Sequence, residues 1–113
     1  SLPEVLVCCD PVDFRKGING LSVLVEEALV QNPFSARLFV FTNRGRDKVK
    51  ILYWERNGFC LWQKCLEKDR FHWPALTPEG TVTLSGQPLN WLLDGFDLRQ
   101  WHPHRRLEYQ STV

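Results

Sequence analysis

A chain of 113 residues reads as one domain, because a polypeptide of this size buries roughly 60–70% of its unfolded surface and holds a core without staples. Its formal charge of +1 hides an asymmetry: residues 37–70 hold nine Lys and Arg against four Asp and Glu, whereas residues 1–36 sum to −3 and residues 71–113 to −1. The cysteines, Cys8, Cys9, Cys60 and Cys65, lack zinc-site spacing, and neither a signal peptide, a bilayer-length apolar run nor a lipidation motif is visible, which fits a reducing cytoplasmic setting with no membrane partner.

Val5 to Cys9 is a short apolar strand closed by Asp10-Pro11. Asp13 then caps a predicted long helix over residues 14–30, in which Phe14, Ile18, Leu21, Val25 and Ala28/Leu29 recur at helical spacing. Gly17 and Gly20 lie one turn apart inside it, at about 1 kcal/mol each against alanine. Close approach of the helix to the sheet would compensate; alternatively, with Arg15 and Lys16, Gly17 leaves bare N–H groups for a phosphate. Asn32-Pro33 ends the helix.

From Arg37 to Trp73 the sequence reads as antiparallel strands joined by charged turns, rich in the aromatic and β-branched residues that fit a pleated sheet. The turn Asn43-Arg44-Gly45-Arg46-Asp47 puts two guanidiniums at an exposed tip. Asn57-Gly58 predicts a two-residue type I′ turn, which would set Arg56 opposite Phe59 and Tyr53 opposite Trp62. One face then collects Val49, Ile51, Tyr53, Cys60, Trp62 and Leu66, broken only by Lys64; this is the predicted core face. The other collects Lys48, Lys50, Leu52, Trp54, Arg56, Phe59, Leu61, Gln63 and Cys65, and reads as open.

Pro74 stops the sheet, Thr81 to Leu84 adds one more strand, and Leu89, Leu92, Leu93 and Phe96 form the apolar stripe of a shorter second helix. The predicted fold is α+β: an antiparallel sheet of four or five strands, a long N-terminal helix packed on its core face, and a shorter C-terminal helix. Residues 1–97 form the domain and 98–113 a tail, disordered or docking on a neighbour. His102-Pro103-His104 lacks a thiol or carboxylate at ligand spacing, so no metal or other cofactor is expected. The cysteines read as small buried hydrophobes within strands.

Catalytic signatures are missing: there is no G-x-S-x-G, P-loop, H-E-x-x-H or dinucleotide fingerprint, and the chain is expected not to be an enzyme. The concentrated basic charge favours an anionic partner. The expected nucleic-acid contacts are Arg15, Lys16, Arg44, Arg46, Lys48, Lys50 and Arg56, with Trp54 or Phe59 as a stacking plane. In the alternative, the same aromatic face is a hydrophobic docking or dimer surface rimmed by charge.

Three stretches, DFRKGINGL at 13–21, the run from Asn32 to Pro74 and WLLDGFD at 91–97, resemble the TnpB accessory-protein family encoded by the second reading frame of insertion-sequence-sixty-six elements. The similarity extends from about Asp10 to Asp97. It implies a helper in DNA transposition beside a separate, larger transposase that carries the acidic catalytic residues; DNA and that transposase are the implied partners, and self-association is a further possibility. The chain departs from the family pattern at Gly45, where a basic residue is usual, and at Cys65, where an arginine is usual. Cys8-Cys9-Asp10-Pro11 replaces a Thr-rich lead.

Overall fold

Val5–Cys8 (β1) is apolar at every position and buried at every position, the mark of a strand covered on both faces. The computed structural model describes residues 4–84 and 86–94, and in it β1 lies inside the sheet. It pairs parallel with Leu38–Thr42 (β2), Val5 opposite Leu38 and Val7 opposite Val40. On its other side it pairs antiparallel with Thr81–Leu84 (β5). Lys48–Glu55 (β3) and Gly58–Cys65 (β4) extend the sheet antiparallel from β2, giving the order β4-β3-β2-β1-β5. The sheet is therefore mixed and five-stranded, not wholly antiparallel as the hairpin signals suggest. Parallel neighbours need a long crossover, and the helix between β1 and β2 provides it.

That helix, Ile18–Glu27 (α1), has ten residues, far fewer than the predicted 14–30. Asp13 does not cap it. Its Oδ1 accepts the Arg15 N–H at 2.9 Å, an Asx turn that competes with helix formation. Gly17 is the N-cap, extended at φ −100° and ψ −153°, so only Gly20 lies inside the helix. Neither glycine allows close packing on the sheet: a Cβ at Gly17 would meet nothing within 4 Å, and one at Gly20 would meet only the Lys16 side chain. At the other end, Val30 at φ 53° reverses the chain and Gln31 N–H closes back on Val25 O at 3.0 Å, a left-handed C-terminal stop.

α1 covers the face predicted to be open. Leu21 and Val25 pack on Leu6, Cys8, Phe39, Phe41 and Leu52, with Phe14, Phe59 and Leu61 at the margin. The opposite face, built on Val5, Val7, Val40, Val49 and Ile51, is covered by Phe71 and Trp73 and by Leu89 and Leu92 of Gly86–Leu93 (α2). Trp73 also donates its Nε1–H to Cys8 O at 2.8 Å. The molecule thus has three layers and two apolar cores. Phe96 and the tail 98–113 lie outside the described residues.

The β3–β4 turn differs from the predicted one by two residues. Glu55 lies opposite Gly58 and Trp54 opposite Phe59. Positive φ falls on Arg56, at 58°, and Asn57 N–H closes on Glu55 O at 2.6 Å, a tight γ-type turn. An even slip keeps every side chain on its predicted face. The two lysines that interrupt the apolar faces each hold the element above them. Lys50 Nζ donates to Phe14 O (2.8 Å) and Lys16 O (2.9 Å), and Lys64 Nζ donates to Leu93 O at 2.9 Å in the last turn of α2.

Candidate nucleic-acid interface

The β2–β3 turn is organised around one residue, Asn43. Asn43 O accepts Arg46 N–H at 3.1 Å, Asn43 Oδ1 accepts Lys48 N–H at 3.1 Å, and Asn43 Nδ2 donates to Asp47 Oδ1 at 2.6 Å. Arg46 takes the left-handed conformation at φ 59°, which Gly45 was better suited to accept. The Asn43 amide, joined by the charges of Lys48 and Arg70, holds the Asp47 carboxyl below its ordinary value. The segment after β4 returns to the turn, where Leu66 N–H meets Asp47 O at 2.8 Å and Phe71 N–H meets Arg46 O at 2.7 Å.

Arg44 and Arg46 are exposed on this turn and make no ion pair with any described residue. Lys48, half-buried, lies opposite Cys65 on the first rung of β3. Val12 N–H bonds to Thr42 O at 2.9 Å, which brings Arg15 and Lys16 to the same end of the sheet. Arg15 is already engaged: its Nε and Nη2 bind Asp13, the closest contact being 2.6 Å, and this pairing pulls the Asp13 carboxyl down to about 2. Lys16 is exposed. Lys50 is not a surface contact. Only 7% of it is exposed, and besides its two carbonyl bonds its ammonium sits 4.7 Å from the Phe14 ring centroid.

Trp54 and Arg56 belong to the other end. β3 has eight residues, and at roughly 3.3 Å per residue the six steps from Lys48 to Trp54 span about 20 Å. There Trp54 packs against Phe59 and Phe34, with ring centroids 5.0 to 5.2 Å apart. Phe34 remains 54% exposed. The structure thus divides the predicted site into a basic turn with Arg44, Arg46, Lys48 and Lys16, and a distant aromatic cluster beside Arg56. Sequence reading misses Phe34 and Arg70, which carry no periodic signal; only the fold brings them to these two places.

Among the described residues no group of three His, Cys, Asp or Glu side chains forms a metal-binding cluster, and no helix is long and apolar enough to cross a membrane. His102 and His104 lie outside those residues. Burial pushes the Cys8 thiol up to about 11 and raises that of Cys9, the reverse of what a nucleophile requires.

Over residues 3–103 the chain matches the family model described as IS66 Orf2 like protein. It is 36% identical over 94 residues to the uncharacterized protein y4jC of Sinorhizobium fredii (strain NBRC 101917 / NGR234), covering 83% of this chain and 80% of that one. To the uncharacterized protein y4hO of the same strain it is 34% identical over 104 residues, covering 88% and 90%. No solved structure matches the chain.

Proposed function

The chain belongs to the IS66 Orf2-like family, and on that footing we propose that it is a non-catalytic accessory protein of DNA transposition that binds nucleic-acid phosphates through its β2–β3 turn and works beside the element's transposase. One observation carries the reading: Arg44 and Arg46 stand exposed on a turn whose own carboxylate, Asp47, is committed to Asn43. Lys48 and Arg70 add positive charge around that carboxylate. Such an array contacts backbone phosphates without reading bases, so it gives affinity and register in place of sequence choice.

A double change, Arg44→Gln with Arg46→Gln, tests this in a salt titration of duplex DNA binding. Affinity is expected to drop, and the slope of log affinity against log salt to shrink by about 0.9 for each phosphate that the variant no longer neutralises. An unchanged slope in the folded variant would refute the turn as the contact. A second reading rests on the half-exposed Phe34 above Trp54 and Phe59, a surface suited to an aromatic anchor of a protein partner. Retention of the transposase in high salt with no DNA binding by the parent protein would select that adaptor role.

A further inference from the structure

The sheet ends at β4, and among the described residues no strand pairs with its outer side. The direction of its free backbone groups follows from one bond: Leu66 N–H reaches Asp47 O at 2.8 Å in the same register that sets Lys64 opposite Val49 and Trp62 opposite Ile51. Hydrogen-bonded pairs alternate along an antiparallel ladder. The even residues of β4 therefore turn their N–H and C=O groups to β3, and Phe59, Leu61, Gln63 and Cys65 turn theirs outward. Sheet edges are usually blunted by proline, bulges or free charge. β4 has no proline, and its single charged side chain, Lys64, is held by Leu93 O. Trp62 stands on this edge 41% exposed.

We propose that β4 pairs antiparallel with β4 of a second copy of this chain, about a two-fold axis normal to the sheet. Such an axis keeps each face on its own side, and the residue on the axis meets its own counterpart. Leu61 and Trp62 on the axis overlap the strands equally, and the Leu61 register is the one that does not set the exposed Trp62 against its own copy. It sets Phe59 against the partner's Gln63, Trp62 against the partner's Cys60, and Gly58 against the partner's Lys64. No like charges are opposed and the exposed indole meets a small side chain, which favours a second copy over an arbitrary foreign strand. The pairing also deepens the phosphate-binding reading, on which this consequence alone rests. The copies run in opposite directions, so Arg56 of one shares an end with the partner's Arg44 and Arg46, whereas within one chain they lie at opposite ends of β3.

Light scattering on the full chain across a concentration series is expected to give twice the chain mass. Gln63→Pro removes an outward N–H that β3 does not use, and is expected to give a folded monomer. A parent protein that stays monomeric at 100 μM, or a folded Gln63→Pro variant that remains dimeric, would overturn the proposal. If that variant fails to fold, Leu61→Cys in a Cys60→Ser, Cys65→Ser background decides: mild oxidation should cross-link two chains through residue 61, since facing Cα atoms at this spacing accept a disulfide, and failure to cross-link overturns the register. A monomer whose Phe59, Leu61 and Gln63 amides gain exchange protection only when the transposase is added assigns the edge to that protein and likewise overturns the dimer. Because these readouts are mass, cross-linking and exchange, failure of DNA binding leaves them unaffected.

Discussion

Replacing Lys50 with methionine separates a lysine that builds the fold from one that serves the surface. The substitution keeps the apolar stem and most of the volume, and removes the ammonium that bonds Phe14 O and Lys16 O. Hydrogen bonds to a charged group are worth about 1.5–3 kcal/mol each, so two of them set an upper bound of about 3–6 kcal/mol. Removing the charge also relieves its desolvation, and Lys16, an exposed residue, can offer its carbonyl to water. A loss of about 1.5–3 kcal/mol remains, or roughly 6–12 °C in Tm at about 4 °C per kcal/mol for a domain of this size. Thermal unfolding followed by circular dichroism measures it, with Lys48→Met as the control. Lys48 shares the face but donates no side-chain hydrogen bond to a described residue, and substitution of such a group changes stability by about 0.5 kcal/mol or less. Equal, small effects of both changes would refute the structural role of Lys50.

Val30 at φ 53° and 80% exposure is a β-branched residue in a conformation that costs an L-residue about 1–2 kcal/mol; Val30→Gly should raise Tm by a few degrees even after glycine's entropic penalty of about 0.5–1 kcal/mol, and an unchanged or lower Tm would contradict the left-handed end of α1. Thiol titration with an aromatic disulfide at neutral pH should modify exposed Cys65 first and leave Cys8 and Cys9 unmodified until the chain unfolds. The Cys8 thiol holds its proton up to about 11 when folded, against an ordinary 9.0. The unfolded chain therefore loses that proton first, and stability should be full below pH 9 and fall as pH rises towards 11; rapid modification of all four thiols at neutral pH would reject the burial.

The strands are legible because their residues are strand-formers bounded by turn chemistry, and the division of β3 and β4 into faces withstands a wrong turn because the slip is even. The position of α1 is misleading for a specific reason. Alternation in Lys48–Glu55 suggests one covered face, yet Val5–Cys8 and Leu38–Phe41 are apolar at consecutive positions, which signals cover on both. Those same runs imply that β1 and β2 are interior neighbours, joined in parallel by the intervening helix. The length of α1 is hidden by chemistry at its ends: the Asx turn at Asp13 and the left-handed Val30 cut the helix back to Ile18–Glu27, inside an apolar periodicity that runs from Phe14 to Leu29.

The site is less legible because composition counts charges without showing which of them can be touched. Within residues 37–70, Lys50 and Lys64 are spent on backbone carbonyls and Arg37 on Glu4. Their charge still contributes to the long-range field that steers an anion, but their ammonium and guanidinium groups are not free to displace counterions at a phosphate. The salt slope responds to the second quantity. The five sheet and turn cations Arg44, Arg46, Lys48, Lys50 and Arg56, taken together, imply a duplex slope near 4.5 at about 0.9 per phosphate. With Lys50 internal and Arg56 at the far end of β3, three of these remain at the basic turn, and with Lys16 beside them they imply a slope of about 3.6 per chain. A slope of that size with undiminished association rates at low salt is the signature of a molecule whose field is larger than its contact surface.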